Sequence, residues 1–430
     1  MASDTVETSV QTPTRFGWID TSLVSVAGVS VLVTVFAGLL QVSYGSFEMS
    51  LATAWATVFD PDVALDPAVW QAFLLGSELP DLSTRSIIVW NIRLPRVFVG
   101  ALVGANLAVS GAIFQAVTRN ELASPQTLGV NAGAGLAVLL TLVVYTGLAH
   151  LLPLVAAVGG AVAFVLVYAI SWNGGTSPVR LVLAGIIVAT VFNALQTALF
   201  FLAEDLGTVQ AAIAWTTGSL TGADWESVRI VAPWSLLVVT LAMAGARQLN
   251  VLVLGEQTAQ SLGMSVERIR FGLSGVAILA ASSAIAVAGI VGFAGLLVPH
   301  VVRTIVGSDY RRVIAGSVFV GPALMVVADV GSRLGPSVAG LAAGVIAVTV
   351  GATVGFGGAL GWQRVQTVVE DSRRFAVVTT ALGSVVVAAV LLTGGPTVSS
   401  TQLPVGIVTG LVGGPYFLYL MKRREQLGGL

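Results

Sequence analysis

Apolar runs of roughly 20 residues, each long enough to cross a hydrocarbon core of about 30 Å as a helix, follow one another along almost the whole chain. They fall near 23–40, 97–117, 126–146, 150–170, 180–202, 229–246, 271–290, 292–306, 313–333, 337–360, 376–394 and 403–421. Short polar connections separate them. The strict apolar–polar alternation of a membrane β-barrel is absent, and backbone groups within lipid must be bonded inside the chain, so the runs are read as helices. The pattern predicts an all-α integral membrane protein, a polytopic helical bundle of about twelve spans. The first run follows a polar segment whose only basic residue is Arg15. It lacks the basic start of a cleaved signal peptide and is expected to be a retained span.

A second pattern lies on top of the first. Arg93-Leu94-Pro95-Arg96 opens a long Gly/Ala/Val stretch that ends in Arg119-Asn120-Glu121-Leu122-Ala123-Ser124-Pro125, and the skeleton recurs from Arg270 to Pro299 at the same spacing. In both places a full apolar span is followed at once by one interrupted by Gly and Pro. Paired broken spans of this kind point to a transporter built from two related halves around a central pathway.

Composition narrows the function. Hydrophobic residues make up 56% of 430 positions and charged residues 10%, with a formal net charge of −1; mean hydropathy is +0.93. Nothing in that balance suggests nucleic-acid binding. The absence of cysteine removes disulfides, thiolate metal sites and cysteine catalysis, and two separated histidines, His150 and His300, suggest neither a metal site nor a catalytic base. The only lysine is Lys422, with no phosphate-cradling glycine loop around it, so ATP hydrolysis would have to come from another chain.

Charge also sets an expected orientation. With the N-terminus inside, the inside connections hold Arg119, Arg180, Arg247, Arg268, Arg270, Arg311, Arg312, Arg364, Arg373, Arg374 and Lys422-Arg423-Arg424, while the outside connections collect acids such as Asp60, Asp62, Asp66, Glu78, Asp81 and Asp224. Arg93, Arg96 and Arg333 lie outside against that rule. Asp329 lies one turn before Arg333, which allows an intrahelical pair.

Four segments in order, RLPRVFVGALVGANLAVSGAIFQAVTRNELASPQTLGVNAGAG, LNVLVLGEQTAQSLGMSVERIR, GIVGFAGLLVPHVVR and LPVGIVTGLVGGPYFLYLMKRR, resemble the FecCD-type permeases. These are the membrane subunits of ATP-driven importers for cobalamin, ferric siderophores and haem. The resemblance implies a homodimer in the cell membrane, two ABC ATPase subunits that carry the ATP and magnesium, and an extracytoplasmic binding protein that delivers the cargo; the charge pattern places both termini in the cytoplasm. It implies no cofactor, metal or catalytic residue in this chain. Arg93, Arg96 and Arg333 take the place of arginines that receive carboxylates of the binding protein. The stretch 249–270, with Leu252, Leu254, Glu256, Leu262 and Arg268, takes the place of the loop that couples to the ATPase. Asn120 and Leu122, with Thr176 and Ser177, match the family's cytoplasmic gate, although Glu121 stands where proline is common in the family.

The expected organisation is a cytoplasmic tail over 1–20 and a permease domain over 21–430, with 335–394 as an inserted or duplicated two-span hairpin. GFGGALGWQRVQTVVEDSRRF from Gly355 resembles GFAGLLVPHVVRTIVGSDYRRV from Gly292, which makes a tandem copy the simplest origin. Cobalamin is the first expectation for the cargo, with ferric siderophore or haem as alternatives. An ion-coupled secondary transporter is the alternative from another class; it would want ionisable residues at mid-membrane, and only Asp329 is a candidate.

Overall fold

The computed structural model describes residues 18–43, 47, 49–203, 206–333, 404–411 and 413–414. The expected hairpin over 335–394, its arginines, the Lys422-Arg423-Arg424 tail and most of the 1–20 segment lie outside the described residues. Among the described residues every regular element is helical.

The first long helix, α1 (Thr21–Ser43), starts where the Asp20 carboxylate accepts the Leu23 N–H. Four short helices follow: α2 (Leu51–Val58), α3 (Pro61–Ala64), α4 (Pro67–Leu75) and α5 (Thr84–Ser86). Ser50, Asp60, Asp66 and Ser83 cap their first turns, with proline at the start of α3 and α4. This segment reads in sequence as a mere connection. It is a compact cap, because its aromatic side chains close on each other and on the bundle. The rings of Phe73 and Trp225 stack at 4.5 Å, Trp70 meets Trp90 edge-on at 5.7 Å, and each indole N–H finds a carbonyl, Trp90 on Thr57 and Trp225 on Trp90.

A π-helical turn, Ile87–Arg93, runs into α6 (Leu94–Val117). Then come α7 (Val130–Val143), a 3-10 turn over Thr146–Leu151, α8 (Leu152–Ser171), α9 (Pro178–Leu202), α10 (Leu206–Thr217), α11 (Trp225–Val253), α12 (Glu256–Ser261), α13 (Val266–Ala288), α14 (Ala294–Val306) and α15 (Tyr310–Arg333), with a further helical segment over 405–411. Seven of the described helical stretches are long and apolar enough to cross a membrane, and α7 and α14 are apolar but shorter. The runs 126–146 and 292–306 are thus only partly helical: the chain unwinds over 118–129 and 289–293, and each broken helix follows a full one. Both unwound stretches are partly buried, with Ala123, Leu128 and Val291 in the core, as irregular backbone within a membrane protein must pack against protein or line a cavity.

Helix α6 is the axis of the packing, buried on nearly every side between Val99 and Val117. Small residues permit this. A Cβ placed on Gly111 would lie 1.6 Å from the Gly295 carbonyl oxygen, so the α6 and α14 backbones touch directly at that point. Against α13 the contact is antiparallel. Asn106 donates to Ser283 at 2.9 Å and Ser110 to the Ala277 carbonyl at 2.6 Å, so rising numbers on one helix meet falling numbers on the other. Asn106 also donates to Ser235 on α11 at 2.8 Å, which ties three helices through one buried amide.

Candidate functional site

At the end of the bundle where α6 starts, Arg96 grips the carboxylate of Asp329 with two parallel bonds, Nε to Oδ2 at 2.9 Å and Nη2 to Oδ1 at 2.6 Å. Asp329 is fully buried and Arg96 is 5% exposed. Gln41 on α1 donates to the same carboxylate, and Arg333, one turn beyond Asp329, brings its Nε to 3.7 Å. Arg93 donates to the Val42 and Phe47 carbonyls, both at 2.6 Å. The three arginines expected to receive a binding protein therefore sit together at one end, but inside the chain. Their immediate work is to fasten α1, α6 and α15. The Arg96 and Arg333 guanidiniums around one carboxylate, with Arg93 close by, leave this end with excess positive potential, while Asp60, Asp62 and Asp66 stand on the neighbouring cap, Asp62 exposed and the other two half-buried.

The opposite end carries the other sequence-identified residues. Proline at its first turn and Ser177, which accepts the Arg180 N–H, start α9. Thr176, immediately before, is 3% exposed and fully engaged: its N–H and hydroxyl bond Glu267, and its carbonyl and hydroxyl accept from Arg270. Asn120 accepts the Leu122 N–H at 3.0 Å, closing a tight turn just after Arg119, whose φ of 47° is left-handed. The two turns and α12 meet around a cleft of about 470 Å³ lined by Arg119, Ser177, Leu254 and Glu256 among others. The four proposed gate residues are thus brought to one end, and α12 borders both turns.

Of the leucines of 249–270, Leu254 and Leu262 are 64% and 65% exposed, whereas Leu252 is 3% exposed and belongs to the chain's own core. Helix α11 extends to Val253, well past the apolar run that marked it in sequence, and carries Leu252 inward. Arg268 is exposed.

Sequence reasoning missed the hub of this end. Arg270 is 1% exposed, and its guanidinium bonds Glu256 on α12 at 2.6 Å, Glu267 at 2.8 Å and Thr176 at 2.8 Å. Tyr168, near the end of α8, donates to Glu267 at 2.6 Å and completes the network. The available signal was the recurrence of the Arg96 spacing at Arg270 together with a glutamate three residues earlier. A second cluster was also missed. Glu121 reaches from its turn to α14, with a carboxylate oxygen 3.2 Å from Arg303 and 3.6 Å from His300 Nδ1, and Arg303 in turn donates to Gln115 and Tyr310. Glutamate in place of proline thus adds a clamp between the turn and α14. Among the described residues no group of three His, Asp or Glu side chains converges to hold a metal ion.

The chain matches the FecCD transport family over residues 32–356 and 363–423. It is 36% identical to the Fe(3+)-citrate import system permease protein YfmD of Bacillus subtilis, over 71% of this chain and 85% of that protein. It is 31% identical to the cobalamin import system permease protein BtuC of Halobacterium salinarum, over 84% of this chain and 80% of that one. Identity to the hemin transport system permease protein HmuU of Yersinia pestis is 29%, over 94% and 97% of the two chains. A solved structure of an inward-facing metal-chelate type ABC transporter superposes with a TM-score of 0.64 at 20% identity, covering 92% of this chain and 99% of that one, which supports the fold.

Proposed function

The chain belongs to the FecCD transport family, and from that premise we propose that it is the membrane permease of an ATP-binding-cassette importer for a bulky metal chelate. The observation that carries the reading is the family match along nearly the whole length, in a bundle with two broken helices. The chain acts as the transport subunit, and a separate ABC ATPase supplies hydrolysis, in keeping with a sequence whose only lysine is Lys422. The end holding α12 faces the cytoplasm. Arg119, Arg180, Arg268, Arg303, Arg311 and Arg312 gather there, and the acids of the cap lie at the other end, as the charge rule requires.

In this orientation the exposed Leu254 and Leu262 meet the ATPase, the turns at Asn120–Leu122 and Thr176–Ser177 narrow the cytoplasmic mouth, and the Arg93–Arg96–Arg333 end receives the binding protein. A second copy of the chain completes the pathway; the long apolar face of α9, with Leu183, Ile187, Val191 and Leu195 exposed, suits such a contact. Cobalamin is the first choice of cargo, because the described spans present no ring of carboxylates or cations for a strongly charged chelate. Ferric siderophore and haem are the alternatives, supported by the relatives above. An ion-coupled carrier is disfavoured, since Asp329, its one candidate proton site, is held by Arg96.

The deciding experiment co-expresses the chain with its ABC ATPase and binding protein in proteoliposomes and measures ATP-dependent uptake of cobalamin, ferric citrate, a ferric hydroxamate and hemin in parallel. ATP-dependent uptake of one of them establishes the importer and its cargo. Uptake driven by a proton gradient without ATP overturns the reading.

A further inference from the structure

Resting on the reading that α12 meets an ATPase and that the two turns narrow the pathway, we propose that Glu256 and Arg270 are the positioning residues that carry displacement of α12 to both turns. Glu256 is the only acid on α12, and one of its carboxylate oxygens faces two arginines. Arg270 Nη2 lies at 2.6 Å and Arg119 Nη2 at 3.8 Å. Each arginine serves a different turn. Arg119 sits beside Asn120 in the 118–129 stretch, on left-handed backbone. Arg270 holds the other turn by its backbone, since Nη1 donates to the Thr176 carbonyl at 2.8 Å while Glu267, bonded to the same guanidinium, accepts the Thr176 N–H at 2.8 Å.

The chemistry of these contacts decides what happens when α12 shifts. Apolar side chains slide over one another with little loss. A guanidinium that is 2% exposed keeps Glu267 if it parts from Glu256, but its Nη2 donor then loses its acceptor in a buried place, so the cheaper response is for the Thr176 turn to move with α12. Arg268, two residues away and exposed, has no such hold. Glu256 therefore gathers two arms of unequal strength: a buried, charge-assisted one to Thr176, and a looser, partly solvated one to Arg119.

The chain has no cysteine, so single introduced thiols report local motion cleanly. In the permease–ATPase complex, Asn173→Cys places a thiol on the exposed part of the Thr176 turn and Gln257→Cys places one on the exposed face of α12. Maleimide reaction rates are measured without nucleotide and with Mg-ATP and vanadate. In the otherwise unchanged chain the ATPase should protect the Gln257→Cys thiol, and trapping should change the Asn173→Cys rate by about fivefold or more, the lower range of coupling between distinct sites.

With Arg270→Met or Glu256→Gln added, the protection should persist while the nucleotide response at Asn173→Cys shrinks to less than about twofold; Arg270→Lys should restore part of it. Glu256 is half-exposed, so Glu256→Gln keeps the test decisive if Arg270→Met fails to fold. A full response at Asn173→Cys in Glu256→Gln overturns the relay and leaves the ATPase contact standing. No protection at Gln257→Cys, or no response at Asn173→Cys in the unchanged chain, overturns the reading beneath it.

Discussion

Arg96 and Arg270 stand near the starts of two antiparallel helices, α6 and α13, and therefore lie at opposite ends of the bundle. Each is buried, and each fastens its helix to the end of a neighbour: Arg96 to Asp329 of α15, and Arg270, through Glu267, to Tyr168 of α8. The spacing that repeats in sequence thus begins two helices that run in opposite directions. One buried arginine secures each mouth of the molecule.

Breaking the Arg96–Asp329 pair should cost heavily, because the buried Asp329 loses its two-bond partner and keeps Gln41 and the more distant Arg333. Arg96→Met is expected to lower stability by about 3–5 kcal/mol, and Arg96→Met with Asp329→Leu to recover most of that loss. Thermal unfolding of the detergent-solubilised protein reads both variants. Equal melting temperatures for Arg96→Met and the parent chain would show that the pair contributes nothing to holding α6 against α15.

The exposed leucines make a separate prediction. Leu254→Asp or Leu262→Asp should leave the permease folded, since both side chains are mostly in solvent. Each should weaken ATPase association by about 2 kcal/mol, roughly 30-fold, as expected for an apolar anchor at the centre of an interface. Leu252→Asp should act differently and impair folding, because Leu252 is a core residue. Pull-down of the ATPase alongside size-exclusion profiles distinguishes the two outcomes, and normal ATPase retention by both surface variants would move the contact elsewhere.

The contrast between Leu252 and Leu254 shows where sequence reading reaches and where it stops. Spans were legible because lipid imposes length and apolarity on them, and the broken partners of α6 and α13 were legible because Gly and Pro interrupt their runs. The inward turn of Leu252 was not, since it depends on how far α11 continues beyond its apolar run. Arg268 and Arg270 look alike in a polar stretch, yet two helical residues apart means nearly opposite faces, and only packing says which face is inward. The aromatic cap over 49–86 was hidden for a related reason: its short helices are held by Trp90, which reaches back 33 residues to Thr57, and by Trp225, 135 residues beyond Trp90.

Close backbone approach predicts a strict limit at Gly111. Any side chain there meets the Gly295 carbonyl, so α6 and α14 would have to separate. Gly111→Ala should destabilise by about 1–3 kcal/mol, the usual cost of overpacking, and Gly111→Leu should abolish the folded species in a fluorescence size-exclusion assay. A well-folded Gly111→Leu protein would show that the two helices are not in direct contact.

The final prediction concerns 335–394, whose ends can be placed from their neighbours. Helix α15 finishes at Arg333, beside Asp329 and the start of α6. The 405–411 segment begins at the same end, where the Gly406 N–H donates to the Gly218 carbonyl and the neighbouring Ser219 N–H donates to the Ala288 carbonyl at the end of α13. A chain that leaves and returns at one end crosses a membrane an even number of times, as a two-span hairpin does. Removing 335–394 therefore preserves the direction of the last span, and residues 334 and 395–403 remain to join Arg333 to residue 404. The deleted permease is expected to insert, bind its ATPase and keep uptake of whichever chelate the intact complex imports within about tenfold, the equivalent of 1.4 kcal/mol. A deletion that assembles normally with both partners but imports nothing would place the hairpin within the translocation machinery.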